Sequence, residues 1–293
     1  MKKDIALVLS GGGARGIAHI GAIEVLEENG YNITSIAGTS MGALVGGVYG
    51  LGKMEELKQW LFKLDRKAVF KLVDFTIGGG GFIKGERVLN TIKDFTQNAN
   101  IEDLKIPFCC VATNIDTQEE VVFKNGNMFE AIRASIAIPT VLTPVKTKNG
   151  HLVDGGILNN LPLDQVARKE GDALIAVNVN AEIPNVELER FDKSEKEAEQ
   201  NAYQRTMSEF YEKLSSIFSG KKNNESLGYF QLMNDTINVM VNANAIQALK
   251  IYNPEILIKI SNKSANTFDF FKAKELYEIG RYVTEQELKK LKE

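Results

Sequence analysis

Histidine is nearly absent from this chain: 293 residues contain two, His19 and His151. Any mechanism that needs an imidazole base has only these two positions to draw on. Cysteine is equally scarce, and Cys109 and Cys110 are adjacent within the apolar run of "IPFCCVATN". Neighbouring cysteines do not suit disulfide geometry, and no Cys/His spacing for zinc exists. Both read as reduced core residues, and neither a metal nor any other cofactor is expected. No apolar run is long enough to span a bilayer. The run Ile5 to Leu9, after Lys2 and Lys3, stops at three glycines and is too short for a signal-peptide core. The expectation is a soluble, cytoplasmic protein. A polybasic tract is missing as well. With 35 basic against 38 acidic residues, the net charge of −3 argues against nucleic acid as a partner.

What is present is ordinary globular composition, 44% hydrophobic and 25% charged, which supplies a sizeable core. Strand-like runs at Ile5–Leu9, Ile33–Ala37, Phe108–Thr113, Glu120–Phe123 and 172–180 alternate with helical patterns at 17–28, from Gly42 to Gly50 and from Met128. A helix over 231–249, a strand over 255–260 and an amphipathic C-terminal helix follow. Such alternation predicts an α/β protein with a largely parallel sheet covered on both faces, a three-layer α/β/α arrangement. Residues 1–293 read as one domain. Two stretches interrupt it: a mixed helical segment at 53–98 containing Gly78–Gly81, and a densely charged segment at 182–226 that reads as a mobile insertion.

The first strand runs into Ser10-Gly11-Gly12-Gly13-Ala14-Arg15-Gly16, whose spacing matches the G-x-G-x-x-G of dinucleotide-binding turns. A dinucleotide site also needs a carboxylate at the end of the second strand. None is there. The second strand runs instead into Gly38-Thr39-Ser40-Met41-Gly42, the G-x-S-x-G of a nucleophile elbow, set between a strand and a helix as that motif requires. Gly38 and Gly42 permit a turn sharp enough to expose Ser40. With Ser40 as nucleophile, the N–H groups of Gly11, Gly12 and Gly13 become candidate oxyanion donors. Parallel neighbouring strands would bring both loops to one sheet edge. Arg15 either braces the loop or lies exposed over a helix N-terminus.

For the base, Asp154 is the leading candidate. It ends a short strand in "GHLVDGGILNNLP", and Gly155 and Gly156 let another backbone approach closely. Burial beside Ser40 would raise its basicity. His151 lies three residues earlier and is the imidazole alternative.

G-G-G-x-R-G, G-x-S-x-G and D-G-G, in that order, resemble the patatin-like phospholipase family, in particular its bacterial stand-alone cytoplasmic esterases. "FEAIRASIAIPTVLTPV" (129–145), "LVDGGILNNLPLDQVA" (152–167) and "DALIAVNVN" extend the resemblance. It implies a fold related to α/β-hydrolases and malonyl-transferases. It also implies a Ser40/Asp154 dyad without histidine, an oxyanion hole from Gly11–Gly13, and metal-free hydrolysis of lipid acyl esters. Phospholipids, lysophospholipids and related lipid esters are the substrate classes.

An acyl chain needs an apolar cleft. Leu57, Trp60, Leu61 and Leu64 share one helical face. Six basic and three acidic residues lie between Lys53 and Lys71, so residues 53–72 rest on anionic lipid, cover the cleft or form a cap helix packed on the sheet, within a cap segment at 53–98. Ser135 in "RASIAIP" lacks flanking glycines and reads as a packing residue, and Arg133 reads as structural. Two other functions remain open at this point. One is a malonyl-transferase-type acyltransferase using His151. The other is a binding protein on a dead hydrolase scaffold.

Overall fold

The computed structural model describes residues 3–73, 86–139, 141–188 and 225–292. The four glycines at 78–81 and most of the charged segment, 189–224, lie outside the described residues. The chain opens with β1 (Lys3–Leu9), a 3-10 turn (Gly13–Ile17), α1 (Ala18–Glu28), β2 (Tyr31–Thr39) and α2 (Met41–Gly50). Three helices follow, α3 (Met54–Phe62), α4 (Arg66–Val73) and α5 (Glu86–Thr96). Next come β3 (Phe108–Asn114), β4 (Glu119–Phe123), α6 (Met128–Ser135), β5 (Val145–Thr147), β6 (Gly150–Asp154) and the single turn α7 (Gly156–Asn159). The chain closes with β7 (Ala173–Ala181), α8 (Glu225–Tyr252), β8 (Ile256–Ser261) and α9 (Ala273–Lys290).

The sheet runs β5-β6-β3-β2-β1-β7-β8, with β4 also paired to β3. From β3 through β8 the pairings are parallel, whereas β4, β5 and β6 run antiparallel at one end. Successive side chains of β1 point to opposite faces. Ile5, Leu7 and Leu9 meet the helices of one layer, while Ala6 and Val8 meet Leu161, Leu163, Val166 and Ala245 of the other. A strand covered on both sides reads as a continuous apolar run, which is why "IALVL" is legible without alternation.

Local signals set several ends. The Asn127 side chain accepts the Glu130 N–H at 3.1 Å and caps the start of α6. Asn29 closes α1, its amide donating to the Val25 carbonyl at 2.9 Å. Both β5 and α7 are too short to show a period, and neither is predicted from sequence. The helix expected from residue 17 starts as a 3-10 turn at Gly13, and the one expected at 231–249 extends from Glu225 to Tyr252.

Candidate active site

Parallel pairing of β1 with β2 puts the glycine loop and Ser40 at the same edge of the sheet. Leu9 pairs with Gly38, so each strand reaches its loop at the same height. Register then brings Asp154 to them. Thr39 pairs with Val111 on β3, and the next β3 residue, Ala112, pairs with Asp154 at the end of β6. Residues 40 and 154 thus stand side by side because β3 touches both of their strands.

Ser40 has φ 53° and ψ −119°, a conformation that side chains rarely adopt and that costs about 1–3 kcal/mol. Three neighbours hold it. Its carbonyl accepts the Leu44 N–H at 3.1 Å, beginning α2. Its own N–H donates to the hydroxyl of Ser135, at the end of α6, at 2.9 Å. The Thr39 hydroxyl ties the preceding residue to the Asn159 carbonyl at 2.8 Å. The flanking glycines are a matter of space. A Cβ at Gly42 would lie 2.3 Å from the Leu9 carbonyl oxygen, and one at Gly38 would lie 2.5 Å from the Gly42 backbone. A larger residue at 42 would push the elbow off β1, and one at 38 would push β2 off the start of α2.

Asp154 is buried, 7% exposed. Its Oδ1 accepts the Gly156 N–H at 2.8 Å, while Oδ2 is buried with no hydrogen-bond partner. Burial raises the carboxyl to about 6, against a smaller pull downward from the Ser40 hydroxyl and the Gly156 N–H. The Ser40 hydroxyl is therefore within reach of the carboxyl, whose pKa it draws down as a hydrogen-bond donor. Gly155 allows the close approach to β3: a Cβ there would lie 2.3 Å from the Val111 oxygen.

The glycine loop needs a correction. Gly11 is not a free donor, because its N–H goes to the Asn160 carbonyl at 3.1 Å. Among the described residues no acceptor meets the N–H of Gly12 or Gly13, while the Ala14 N–H goes to Thr267 at 2.9 Å. Of the three glycine N–H groups, two are thus left without an acceptor among the described residues. Arg15 braces the loop instead of lying exposed. It donates to the carbonyls of Val179 (3.1 Å) and Ala265 (2.9 Å) and to the Asn180 side-chain oxygen (2.8 Å). Burial lowers its pKa to about 10, so it stays charged at neutral pH.

The histidines stand apart from this geometry. His151 is on the surface, its Nδ1 2.8 Å from Asp116, with the side chain 47% exposed. Its proximity to Asp154 in sequence does not carry into space, since residues on a strand alternate between faces and only the strand end reaches the elbow. His19 is fully buried, with Nε2 2.8 Å from the Ser10 carbonyl, and burial holds its pKa down at about 4. It is neutral and donates from Nε2. Ser135, expected to be packing, accepts the Ser40 N–H. Arg133 behaves as expected, holding the Thr143 carbonyl at 2.7 Å. Asn160 and Asn180 escape sequence reasoning altogether. Their contacts lie 149 and 169 positions away in the chain, and no local pattern marks them.

A cavity of about 140 Å³ opens beside Ser40, lined by Met41, Leu44, Leu57, Trp60, Leu61, Leu64, Val69, Ile92, Phe95, Ile136, Ile138, Val141 and Leu142, among others. The helical face read from sequence lies on this wall, and α3, α4 and α5 cover it. Trp60 meets Phe95 edge to face, centroids 5.9 Å apart. The lining is almost wholly apolar.

A strand-to-helix elbow bearing a serine at positive φ, a buried carboxyl beside it and an apolar cavity in a three-layer α/β/α fold define an ester-hydrolase scaffold. The chain belongs to the patatin-like phospholipase family, whose model matches residues 7–167 and so takes in the glycine loop, Ser40 and Asp154. Membership places it among lipid carboxylic-ester hydrolases. An uncharacterized NTE family protein of Mycobacterium tuberculosis is 32% identical, over 97% of this chain and 91% of that protein. A lysophospholipase NTE1 of Scheffersomyces stipitis is 29% identical over 94% of this chain, which spans only 17% of it. The human patatin-like phospholipase domain-containing protein 6 is 35% identical over 61% of this chain and 13% of its own. The solved structure of VipD from Legionella pneumophila has the same fold, with a TM-score of 0.58 at 17% identity, covering 98% of this chain and 67% of that one. Among the described residues no helix is long and apolar enough to cross a membrane.

Proposed function

We propose that the protein hydrolyses acyl esters of lysophospholipids and related lipids through Ser40 as nucleophile and Asp154 as base. The observation that carries this reading is the pairing of a serine held at positive φ with a buried carboxyl whose pKa is raised to about 6, at the wall of an apolar cavity. A carboxyl of ordinary acidity is a weak base, and burial makes this one better matched to neutral pH. The lysophospholipase name of one relative supports the substrate class.

In the first step Ser40 Oγ bonds to the ester carbonyl carbon and its proton passes to Asp154. The carbonyl oxygen becomes an oxyanion facing the N–H groups of Gly12 and Gly13. The alcohol leaves with the proton from Asp154, and the acyl group stays on Ser40. Water then attacks the acyl-enzyme, Asp154 takes a proton from it, and the fatty acid leaves as Ser40 recovers its hydrogen. The acyl chain lies along the cavity walls while the head group stays outside. The serine–carboxyl contact tightens as substrate excludes water, as such bonds commonly do on binding. The outer side of α3 and α4, with exposed Lys63 and Lys67, faces an anionic lipid surface.

The test is hydrolysis of a 1-acyl lysophosphatidylcholine, together with fluorophosphonate labelling. Labelling should stop and hydrolysis should cease in Ser40→Ala. A folded Ser40→Ala protein that still releases fatty acid overturns the proposal.

A further inference from the structure

One asparagine contact fixes the peptide that carries the Gly12 donor, and a second fixes the peptide before it. The Asn180 amide nitrogen donates to the Gly11 carbonyl oxygen at 2.6 Å. That carbonyl and the Gly12 N–H belong to one planar trans peptide, so they point in opposite directions. Asn180 belongs to β7, on one side of β1, and Ser40 follows β2, on the other. A Gly11 carbonyl drawn towards β7 therefore turns the Gly12 N–H towards β2 and Ser40.

The Asn180 side chain is itself held in one orientation. Its oxygen accepts from Arg15 Nη2 at 2.8 Å, and a guanidinium has only donors, so the amide nitrogen must face Gly11. Its backbone N–H donates to the Asn178 side-chain oxygen at 2.9 Å. On the other side, the peptide between Ser10 and Gly11 is held at both edges. His19 donates to the Ser10 carbonyl at 2.8 Å, and the Gly11 N–H donates to Asn160 at 3.1 Å. The chain of donors from Arg15 through Asn180 to the Gly11 peptide also polarises the Gly12 N–H, as linked hydrogen bonds do.

We infer that Asn180, oriented by Arg15, is a positioning residue that aims the Gly12 N–H at the oxyanion formed on Ser40. The inference rests on the Ser40 reading above. Asn180 touches no reacting atom and acts through the Gly11–Gly12 peptide.

Asn180→Asp tests it, because the variant keeps shape and the contact with Arg15 but sets an acceptor against the Gly11 carbonyl. Removing one oxyanion donor outright costs about 10²–10³ in kcat, and misaiming it should cost about 30- to 300-fold. KM for p-nitrophenyl butyrate should stay within about threefold, because the lost contact matters in the transition state and not in the ground state. An alkyl trifluoromethyl ketone, which forms an oxyanion on the serine, should lose affinity in step with kcat/KM, while decanoate affinity holds. Asn180→Ala, which removes the donor without adding charge, should give the same split if the Asp variant fails to fold. Wild-type kcat in either folded variant overturns the inference, as does parallel loss of ketone and decanoate affinity. Ser40→Ala assayed alongside separates the two claims. Activity surviving there removes the Ser40 reading, and activity lost there with Asn180→Asp unimpaired removes only the aiming role.

Discussion

The Ser40 N–H reaches the Ser135 hydroxyl across 2.9 Å, joining the elbow to the end of α6 over 95 positions of chain. Ser135 is fully buried, so no water substitutes for it. A buried N–H left unmade costs about 1–3 kcal/mol. In Ser135→Ala the elbow loses a restraint on its strained φ, and kcat should fall about 10- to 100-fold with little change in KM. Ser135→Thr keeps the oxygen and should recover most of that loss. Steady-state kinetics on the three proteins decide it, and an Ala variant as fast as wild type rules out the positioning role.

As the proposed base, Asp154 must be ionised to take the serine proton. With its pKa raised to about 6, kcat/KM should fall as the pH drops through about 6. Asp154→Asn cannot accept a proton and should lose orders of magnitude. His151→Ala should leave the acid limb in place, since that ring is exposed and paired with Asp116. A limb that moves on removing His151 would make the imidazole the base.

Burying Asp154 also has a stability consequence whose sign can be checked. Its folded pKa, about 6, lies above the ordinary 3.8, so the native state holds the proton more tightly than the unfolded chain. Its contribution is most favourable below 3.8 and is lost as the pH rises through about 6. Asp154→Asn removes that cost and should stabilise the protein at pH 8 by about 2–3 kcal/mol, with a smaller gain at pH 5. His19 acts oppositely: held at about 4, it weakens the fold as the pH falls from its usual value towards 4. Both proteins carry His19, so it cancels in the difference. Denaturant melts at the two pH values measure this, and a gain that grows towards pH 5 contradicts it.

Val141 lines the cavity and is half-buried. Val141→Trp narrows the space without touching Ser40 or Asp154. Turnover of p-nitrophenyl acetate should survive, and KM should rise with chain length from butyrate to decanoate. Equal losses on all esters would mean that the acyl chain lies elsewhere.

How much of this was readable in the chain differs from residue to residue. The elbow, the glycine loop and the D-G-G turn announce themselves because their chemistry is local. A serine at positive φ and backbones packed with no room for a Cβ require glycine at fixed short spacing, and that spacing is written in the sequence. The alternation of apolar runs with helical periods likewise specifies a covered, mostly parallel sheet. Choosing Asp154 over His151 was possible only in outline. Which of the two stands beside Ser40 is a matter of tertiary structure, since β3 pairs with both β2 and β6 and brings the strand end, not the third residue before it, to the elbow. The same holds for the donors. Three glycines are equivalent in sequence, but the Asn160 carbonyl takes one N–H and leaves two. Ser135, Asn160 and Asn180 carry no local mark, because a single hydrogen bond across more than ninety residues imposes no pattern on its neighbours. The sequence by itself determined which loops would form; only the packing of strands decided which atoms in those loops remain free.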